Sequence, residues 1–568
     1  MDETHFDVVV VGSGFGGSVT ACRLAEAGLR VCLLERGKIY PPGSFPRSPY
    51  KIAKNFWDPS QGLYGMFNVW SFKNLEAVIA SGLGGGSLIY ANVLIRKDEK
   101  WFVKEDIHSG GYEYWPVTRA DLDPHYDRVE KTLNAQRYPF EQPPYDQTAK
   151  TMAFKAAAEG LNLEWRLPNL AVTFSNPGDV PLPGEPIKEA YPNLHGRTRL
   201  TCLLCGECDI GCNYGSKNTL DYNYLSQARR LGAEIRPLCE VRSFAPREGG
   251  GYTIRYVEHE PDRREGQAFD TSQLPLITLT ADRLVLSAGA LGTPYLLLKN
   301  RGAFPHLSRM LGTRFSGNGD FLAFALHNRQ TKDGQLMPRL MDPGYGPVIT
   351  SAIRVPDALD GGSGRGHYVE DAGYPEHVNW VLESLEAPGA VGRLLRLARR
   401  RLREKLTGTL QSDLSAELAG LLGRAELSSS SMPLLGMGRD VPDGTMSLSA
   451  AGYLEIDWEI GRSKAFFDAL KETMHDITRQ LEGEFALNPS FYLLNRGVTV
   501  HPLGGCPMGR DESEGVVDAY GEVFNYPGLH IADGSVMPGP VGPNPSLTIA
   551  ALADRFAERI LDQRQRPG

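Results

Sequence analysis

The first 35 residues constrain this chain most tightly. Phe6–Val11 is a short apolar run, and its core, Val8-Val9-Val10-Val11, lacks the polar alternation of a half-exposed strand, so it reads as a strand buried on both faces. Gly12-Ser13-Gly14-Phe15-Gly16-Gly17 follows, then a helical stretch Ser18–Glu26, a stop at Gly28, a second strand Arg30–Leu34, and Glu35. Strand, glycine turn, helix, strand and acid form a dinucleotide-binding unit. Gly12 permits the turn that carries Phe15, Gly14 lets the backbone approach a pyrophosphate, Gly17 lets helix and strand pack closely, and Glu35 can bind a ribose hydroxyl pair. The pattern alone does not choose between FAD and a nicotinamide; its position at the N-terminus suits a flavoprotein.

The chain has 568 residues, and at roughly 100–200 residues per domain this predicts two to four domains. The net charge of −8 does not recommend a nucleic-acid partner. Met1–His5 lacks the features of a secretion signal, and there is no uninterrupted apolar run of about 18 residues, so a cytoplasmic protein is the expectation. Val391–Leu406 has an apolar stripe on an otherwise Arg- and Lys-rich surface. Such a helix reads as a peripheral membrane contact, a solvated cover or a partner surface.

Further glycine-rich turns add to the nucleotide site. Ser81-Gly82-Leu83-Gly84-Gly85-Gly86-Ser87 leads to Asn92, and its consecutive N–H groups suit an anion or a flavin edge, with Ser87 a candidate helix cap. Arg283–Pro294 reads as a buried strand meeting a helix at a tight turn, Ala288-Gly289, with the helix running from Pro294. Asn318-Gly319-Asp320 is a polar turn before a strand. Cys202, Cys205, Cys208 and Cys212 are spaced C-x2-C-x2-C-x3-C, as in ferredoxin-type ligation. Asn213 follows rather than proline, so a cluster or metal, a redox pair and packing thiols all stay open, and no metal ligand is assigned.

Near the C-terminus, His501-Pro502-Leu503-Gly504-Gly505-Cys506 and Pro543-Asn544-Pro545 each fix a polar residue among Gly and Pro. A flavin alcohol oxidoreductase needs a proton acceptor and donors that hold the oxygen as hydride leaves. His501 can serve as base or hydrogen-bond partner; Asn544 can only position. Asp533-Gly534 closes a strand and is a cofactor candidate, with its carboxylate and backbone expected near phosphate or ribityl groups.

These ordered motifs resemble the glucose-methanol-choline (GMC) oxidoreductase family, and the His501 run and the Asp533–Pro545 spacing resemble its bacterial cholesterol oxidase branch. The resemblance implies an α/β FAD-binding nucleotide fold with an α+β substrate domain built on an antiparallel sheet. It divides the chain into 1–325, FAD-binding with loop excursions at about 100–200; 326–495, substrate-binding; and 496–568, FAD-binding again. It implies FAD held by Gly12, Gly14, Phe15, Gly17, Glu35, Gly82, Gly85, Gly86, Ser87, Asn92, Val241, Ala288, Gly289, Asp533, Gly534, Asn544 and Pro545. The expected reaction is oxidation of a bulky lipophilic alcohol, sterol-like or long-chain, at His501 and Asn544. Electrons would pass to oxygen or to another acceptor, and monomer and homodimer both stay open. The branch uses a substrate-domain glutamate as base; Glu370 is the candidate, with Asp371 behind it.

Overall fold

The computed structural model describes residues 4–106, 111–375, 399, 426–488 and 496–565. The basic stretch 391–406, apart from Arg399, and most of 412–430 lie outside them.

The N-terminal reading is met strand for strand. His5–Val11 pairs in parallel with Val31–Leu34 on one side and with Ile277–Leu286 on the other, and Glu234–Arg236 extends the sheet beyond Val31–Leu34. Val8, Val9 and Val10 are fully buried, as an unalternating run must be when helices cover both faces. Ile277–Leu286 is long enough to change neighbours along its free edge. Its last three residues take Leu529–Ile531 in parallel, while its first half pairs antiparallel with Tyr252–Glu258, which pairs in turn with Cys239–Pro246. The helices Phe15–Glu26 and Ser546–Gln565 pack together against this sheet. Residues from both ends of the chain therefore share one core.

The second sheet is antiparallel, in the order Glu164–Arg166, Ala352–Val355, His367–Asp371, Met432–Gly438, Phe321–Leu326, Glu484–Leu487. Two of its six strands come from residues numbered below 326 or straddling that position. Side chains alternate across it. Phe321, Ala323, Ala325, Val369 and Leu434 join Phe466, Phe467, Leu470, Met474 and Ile477 of the helix Lys464–Gln480 in one cluster. Gly436 lies directly beneath that helix, where an added Cβ would sit 2.6 Å from Met474 Cε. Asp320, Leu322, Phe324, Glu370 and Leu435 fall on the opposite face by the same alternation.

One local expectation changes. The helix expected from Pro294 begins at Gly289, with Pro294 inside its first turns, and Gly289 N and Thr293 Oγ1 of those turns both donate to the Asp533 carboxylate. Thr445–Leu448 and Leu454–Asp457 form a separate two-stranded ribbon.

Candidate active site

The glycine loops converge as a dinucleotide requires. Gly12 has φ 99°, and a Cβ there would lie 2.2 Å from Ser287 O; one on Gly17 would lie 2.0 Å from Gly12 O. Gly14 differs: no heavy atom lies within 4 Å of its added Cβ. It borders open space at the N-terminus of the helix Phe15–Glu26, where N–H groups and the helix dipole favour phosphate. Phe15 opens that helix and stacks edge-on with Tyr90. Gly85, at φ 52°, presses the second glycine loop onto the first, since its Cβ would meet Gly14 Cα at 2.6 Å; Gly86 again faces open space. Gly82 closes on Tyr40 and Leu88. Ser87 caps no helix; its hydroxyl donates to Gly84 O at 2.7 Å and accepts from Leu220 N at 3.1 Å.

Glu35 ends its strand as expected, but much of its carboxylate is already engaged. Oε2 accepts from Ser13 N (3.0 Å) and Ser13 Oγ (2.7 Å), and Oε1 accepts from Gly37 N (2.8 Å). A carboxylate has about four acceptor directions, so one is left for a ribose hydroxyl. Glu35 O also accepts from Cys239 N at 2.8 Å, which starts the strand carrying Val241 beside it. Asp533 departs from expectation. Oδ2 accepts from Gly289 N (2.9 Å) and Thr293 Oγ1 (2.5 Å), and Oδ1 accepts from Ser535 N (2.8 Å) and Ser535 Oγ (2.5 Å). All four directions are filled, so the carboxylate ties the Ala288-Gly289 turn to Gly534-Ser535 and has none left for a cofactor. Any cofactor contact at Asp533, Gly534, Ala288 and Gly289 falls to the backbone.

His501 stands where the two sheets meet. The strand Gly497–Thr499 pairs with Leu75–Ala80, and Leu503 exchanges backbone hydrogen bonds with Ser316. This brings the histidine against Asp320, which the sequence marked only as part of a turn. Asp320 Oδ1 lies 2.7 Å from His501 Nδ1, and Oδ2 accepts from Thr499 Oγ1 (2.9 Å), Val500 N (2.8 Å) and His501 N (2.9 Å). With the carboxylate taking the Nδ1 hydrogen, a neutral ring leaves Nε2 bare.

Glu370, chosen from the sequence, is fully buried and meets the other predicted residue: Asn544 Nδ2 donates to its Oε2 at 3.3 Å. Glu370 Oε1 and Asn544 Oδ1 have no partner among the described residues. Burial pushes the Glu370 carboxyl up to about 8, the Asn544 hydrogen bond opposes this, and the charges of Asp371 and Asp320 add to it. Asp320 is thus near enough to join the two pairs electrostatically. Asp371, the second candidate, points the other way and accepts from Thr350 N, Ser351 N and Thr350 Oγ1, a structural role.

Several positioning residues had no signal of their own. Asn318 Nδ2 donates to Gly542 O (3.4 Å) and Pro543 O (3.1 Å), and its Oδ1 accepts from Gly542 N (2.9 Å), which fixes the loop carrying Asn544 and Pro545. Beneath the same loop, buried Lys97 Nζ donates to Pro540 O (2.8 Å) and Val541 O (3.0 Å). Asp440 is buried at the start of the Asp320 turn, accepting from Ser316 Oγ (2.5 Å) and Gly317 N (3.0 Å). Only the polar turn at Asn318 hinted at any of this.

Cys202, Cys205, Cys208 and Cys212 are unpaired and line one cavity together with Lys217. Asn92, buried at φ 72°, sits beside Cys208. Among the described residues, no group of three or more His, Cys, Asp or Glu is arranged to hold a single metal ion, and no helix is long and apolar enough to cross a membrane.

A nucleotide-type parallel sheet, a second antiparallel sheet, and a histidine–carboxylate pair between them fit an oxidoreductase with a dinucleotide site. Known proteins agree with this. Residues 10–41 match the NAD(P)-binding Rossmann-like domain, and 196–315 and 443–553 match two GMC oxidoreductase models. A cholesterol oxidase of Mycobacterium tuberculosis is 30% identical over 97% of this chain and 90% of its own length. A cholesterol oxidase of Acinetobacter baumannii is 26% identical over 98% and 94%, and an Arabidopsis thaliana long-chain-alcohol oxidase is 23% identical over 98% and 68%. The crystal structure of pyridoxine 4-oxidase from Mesorbium loti superposes with a TM-score of 0.55 at 15% identity, covering 98% of this chain and 99% of that one, which speaks for the fold. The chain belongs to the GMC oxidoreductase family.

Proposed function

We propose that the chain oxidises a bulky apolar alcohol, sterol-like or long-chain, with FAD as cofactor. One observation carries this reading: the pairs His501–Asp320 and Asn544–Glu370 meet at the sheet face that also presents Leu322, Phe324 and Leu435. The glycine loops support FAD, because Gly14 and Gly86 leave the room a pyrophosphate needs and Glu35 keeps an acceptor for a ribose. Bound FAD would supply the hydride acceptor. The relatives named as cholesterol and long-chain-alcohol oxidases favour an apolar substrate.

His501 Nε2 receives the hydroxyl proton, and Asp320 at Nδ1 orients the ring and stabilises the imidazolium. Asn544 holds the oxygen through its second amide N–H. Glu370, the base expected from the sequence, is largely neutral at pH 7 with a carboxyl titrating at about 8. An uncharged carboxyl costs little beside an apolar substrate, whereas an ionised one there is penalised. Glu370 therefore favours apolar ligands below that pH.

Anaerobic mixing with sterols, long-chain alcohols and sugars tests the reading through bleaching of flavin absorbance. Bleaching by an apolar alcohol is expected. No bleaching with any alcohol, or bleaching by sugars alone, defeats it.

A further inference from the structure

We infer that Cys202, Cys205, Cys208 and Cys212 ligate an iron–sulfur cluster beside the dinucleotide site. Four thiols in so short a loop satisfy the spacing of ferredoxin-type ligation, and here all four border the same cavity. In two-cluster ferredoxins the fourth cysteine of such a run serves a different cluster; this loop turns Cys212 back onto the first three. Left-handed residues wind it: Leu204 at φ 60°, Gly206 at 64° and Gly211 at 90°.

Burial works against charged sulfur here and pushes the Cys202, Cys205 and Cys208 thiols up, and polar neighbours offset part of that cost. Backbone N–H groups of Leu204, Glu207 and Val348 act in the lowering direction at Cys202, Cys205 and Cys208, and N–H groups near sulfur tune such clusters. Lys217 is fully buried, and its Nζ donates to Leu88 O (3.1 Å), Tyr90 O (2.7 Å) and Cys208 O (2.7 Å). A buried ammonium held by carbonyls places a positive charge next to Cys208 and Cys212. The cavity is about 10 Å³, roughly the space of one water, which excludes an organic ligand. A metal bonds sulfur at about 2.3 Å, well inside van der Waals contact, so free space understates the room for an inorganic core.

The location gives the site its use. Lys217 is anchored on Leu88 and Tyr90, and Asn92 lies beside Cys208, so the cavity abuts the Gly82–Asn92 loop, while Cys205, Cys208 and Cys212 are half-buried toward the surface. Each transfer moves one electron onto the core, formally ferric to ferrous iron, and one off to an external one-electron acceptor. No bond is made or broken there, and two passes carry the pair released by a two-electron oxidation. This relay role rests on the alcohol-oxidation reading; the site does not.

The test uses the full chain purified without oxygen. Iron, acid-labile sulfide and flavin are assayed together, with electron paramagnetic resonance after dithionite. About three to four irons with matching sulfide are expected, with absorbance beyond the flavin that bleaches on reduction. Protein isolated without iron is reconstituted anaerobically with ferrous iron and sulfide; uptake is expected, and prior thiol alkylation abolishes it. Cys205→Ser should lose the signal while keeping flavin, and Lys217→Met should lower the cluster's potential. Failure to take up iron, zinc in its place, or a disulfide that persists after mild reduction overturns the inference. Flavin bleaching by an alcohol in an iron-free sample leaves the alcohol reading standing without the cluster; a cluster without bleaching leaves the reverse.

Discussion

Glu370→Gln separates the two carboxylate roles at the site. Glutamine keeps an oxygen to accept from Asn544 Nδ2 but cannot ionise. The Glu370 carboxyl is raised from 4.5 to about 8, so between these values the unfolded chain has released its proton while the folded chain has not. Stability of the wild type, relative to the variant, therefore falls as pH rises through that window and levels off above about pH 8. At about 1.4 kcal/mol per unit the full difference is roughly 5 kcal/mol. Unfolding entropy of about 2.1 cal/mol/K per residue over 568 residues gives about 1.2 kcal/mol/K if the chain unfolds as a unit. The midpoint difference is then only about 4 °C, so paired thermal scans of both proteins from pH 5 to 9 need replicate precision below a degree. A difference that does not change over this range would refute a desolvated Glu370. Turnover gives the second reading: with His501 as proton acceptor, kcat at pH 7 should stay within about tenfold, because general-base removal itself costs roughly 10²–10⁴. A loss of that larger size would make Glu370 the base and overturn the assignment to His501.

Asp320→Asn should lower flavin reduction by roughly 10²–10³-fold, since the amide neither orients the ring in the same tautomer nor stabilises the imidazolium; unchanged FAD content with a shifted pH profile would mark it as a positioning residue, and wild-type kinetics would count against the pair. Asn318→Ala should cost about 1–3 kcal/mol by leaving Gly542 N and two carbonyls unpaired, and should lower kcat through the Asn544 loop; a variant with full stability and rate would contradict that support. Gly14→Ala adds a Cβ that meets no heavy atom within 4 Å in the protein, so it should fold with an unchanged melting point yet purify with less flavin, read as the ratio of flavin to protein absorbance. For an apolar alcohol, KM should rise above about pH 8 as Glu370 ionises, and Glu370→Gln should flatten that rise.

What could be read from sequence here follows from the range of the interactions. The nucleotide unit is local: apolar period, glycine and acid lie within 35 residues, and each has a steric duty that only its residue type performs. Gly12 and Gly17 accordingly take the steric parts their spacing implied, and Gly14 borders open space. His501, Asn544 and Glu370 could be picked out one by one, the first two because Gly and Pro fix their backbones and the third because it ends a strand. Their pairing could not. Asp320 reaches His501 across 181 positions and Asn544 reaches Glu370 across 174, and no periodicity encodes such a pairing. Asp533 shows the opposite error: an acid after a strand reads as a ligand, but four donors within reach make it a brace.

The long-range ties share one direction. Lys97 holds Pro540 and Val541, Asn318 holds Gly542 and Pro543, and Glu370 holds Asn544, so a single loop is gripped at successive residues from three separate parts of the chain. Each grip uses a buried polar group, which costs stability unless every bond is made. A loop needed only to connect a strand to the helix Ser546–Gln565 would not require them. A loop that must keep an amide within hydrogen-bond reach of a reacting oxygen does, because a displacement of about 1 Å is enough to cost roughly a hundredfold in rate. The concentration of buried polar partners on residues 540–544 is therefore itself an argument that Asn544 is where precision matters.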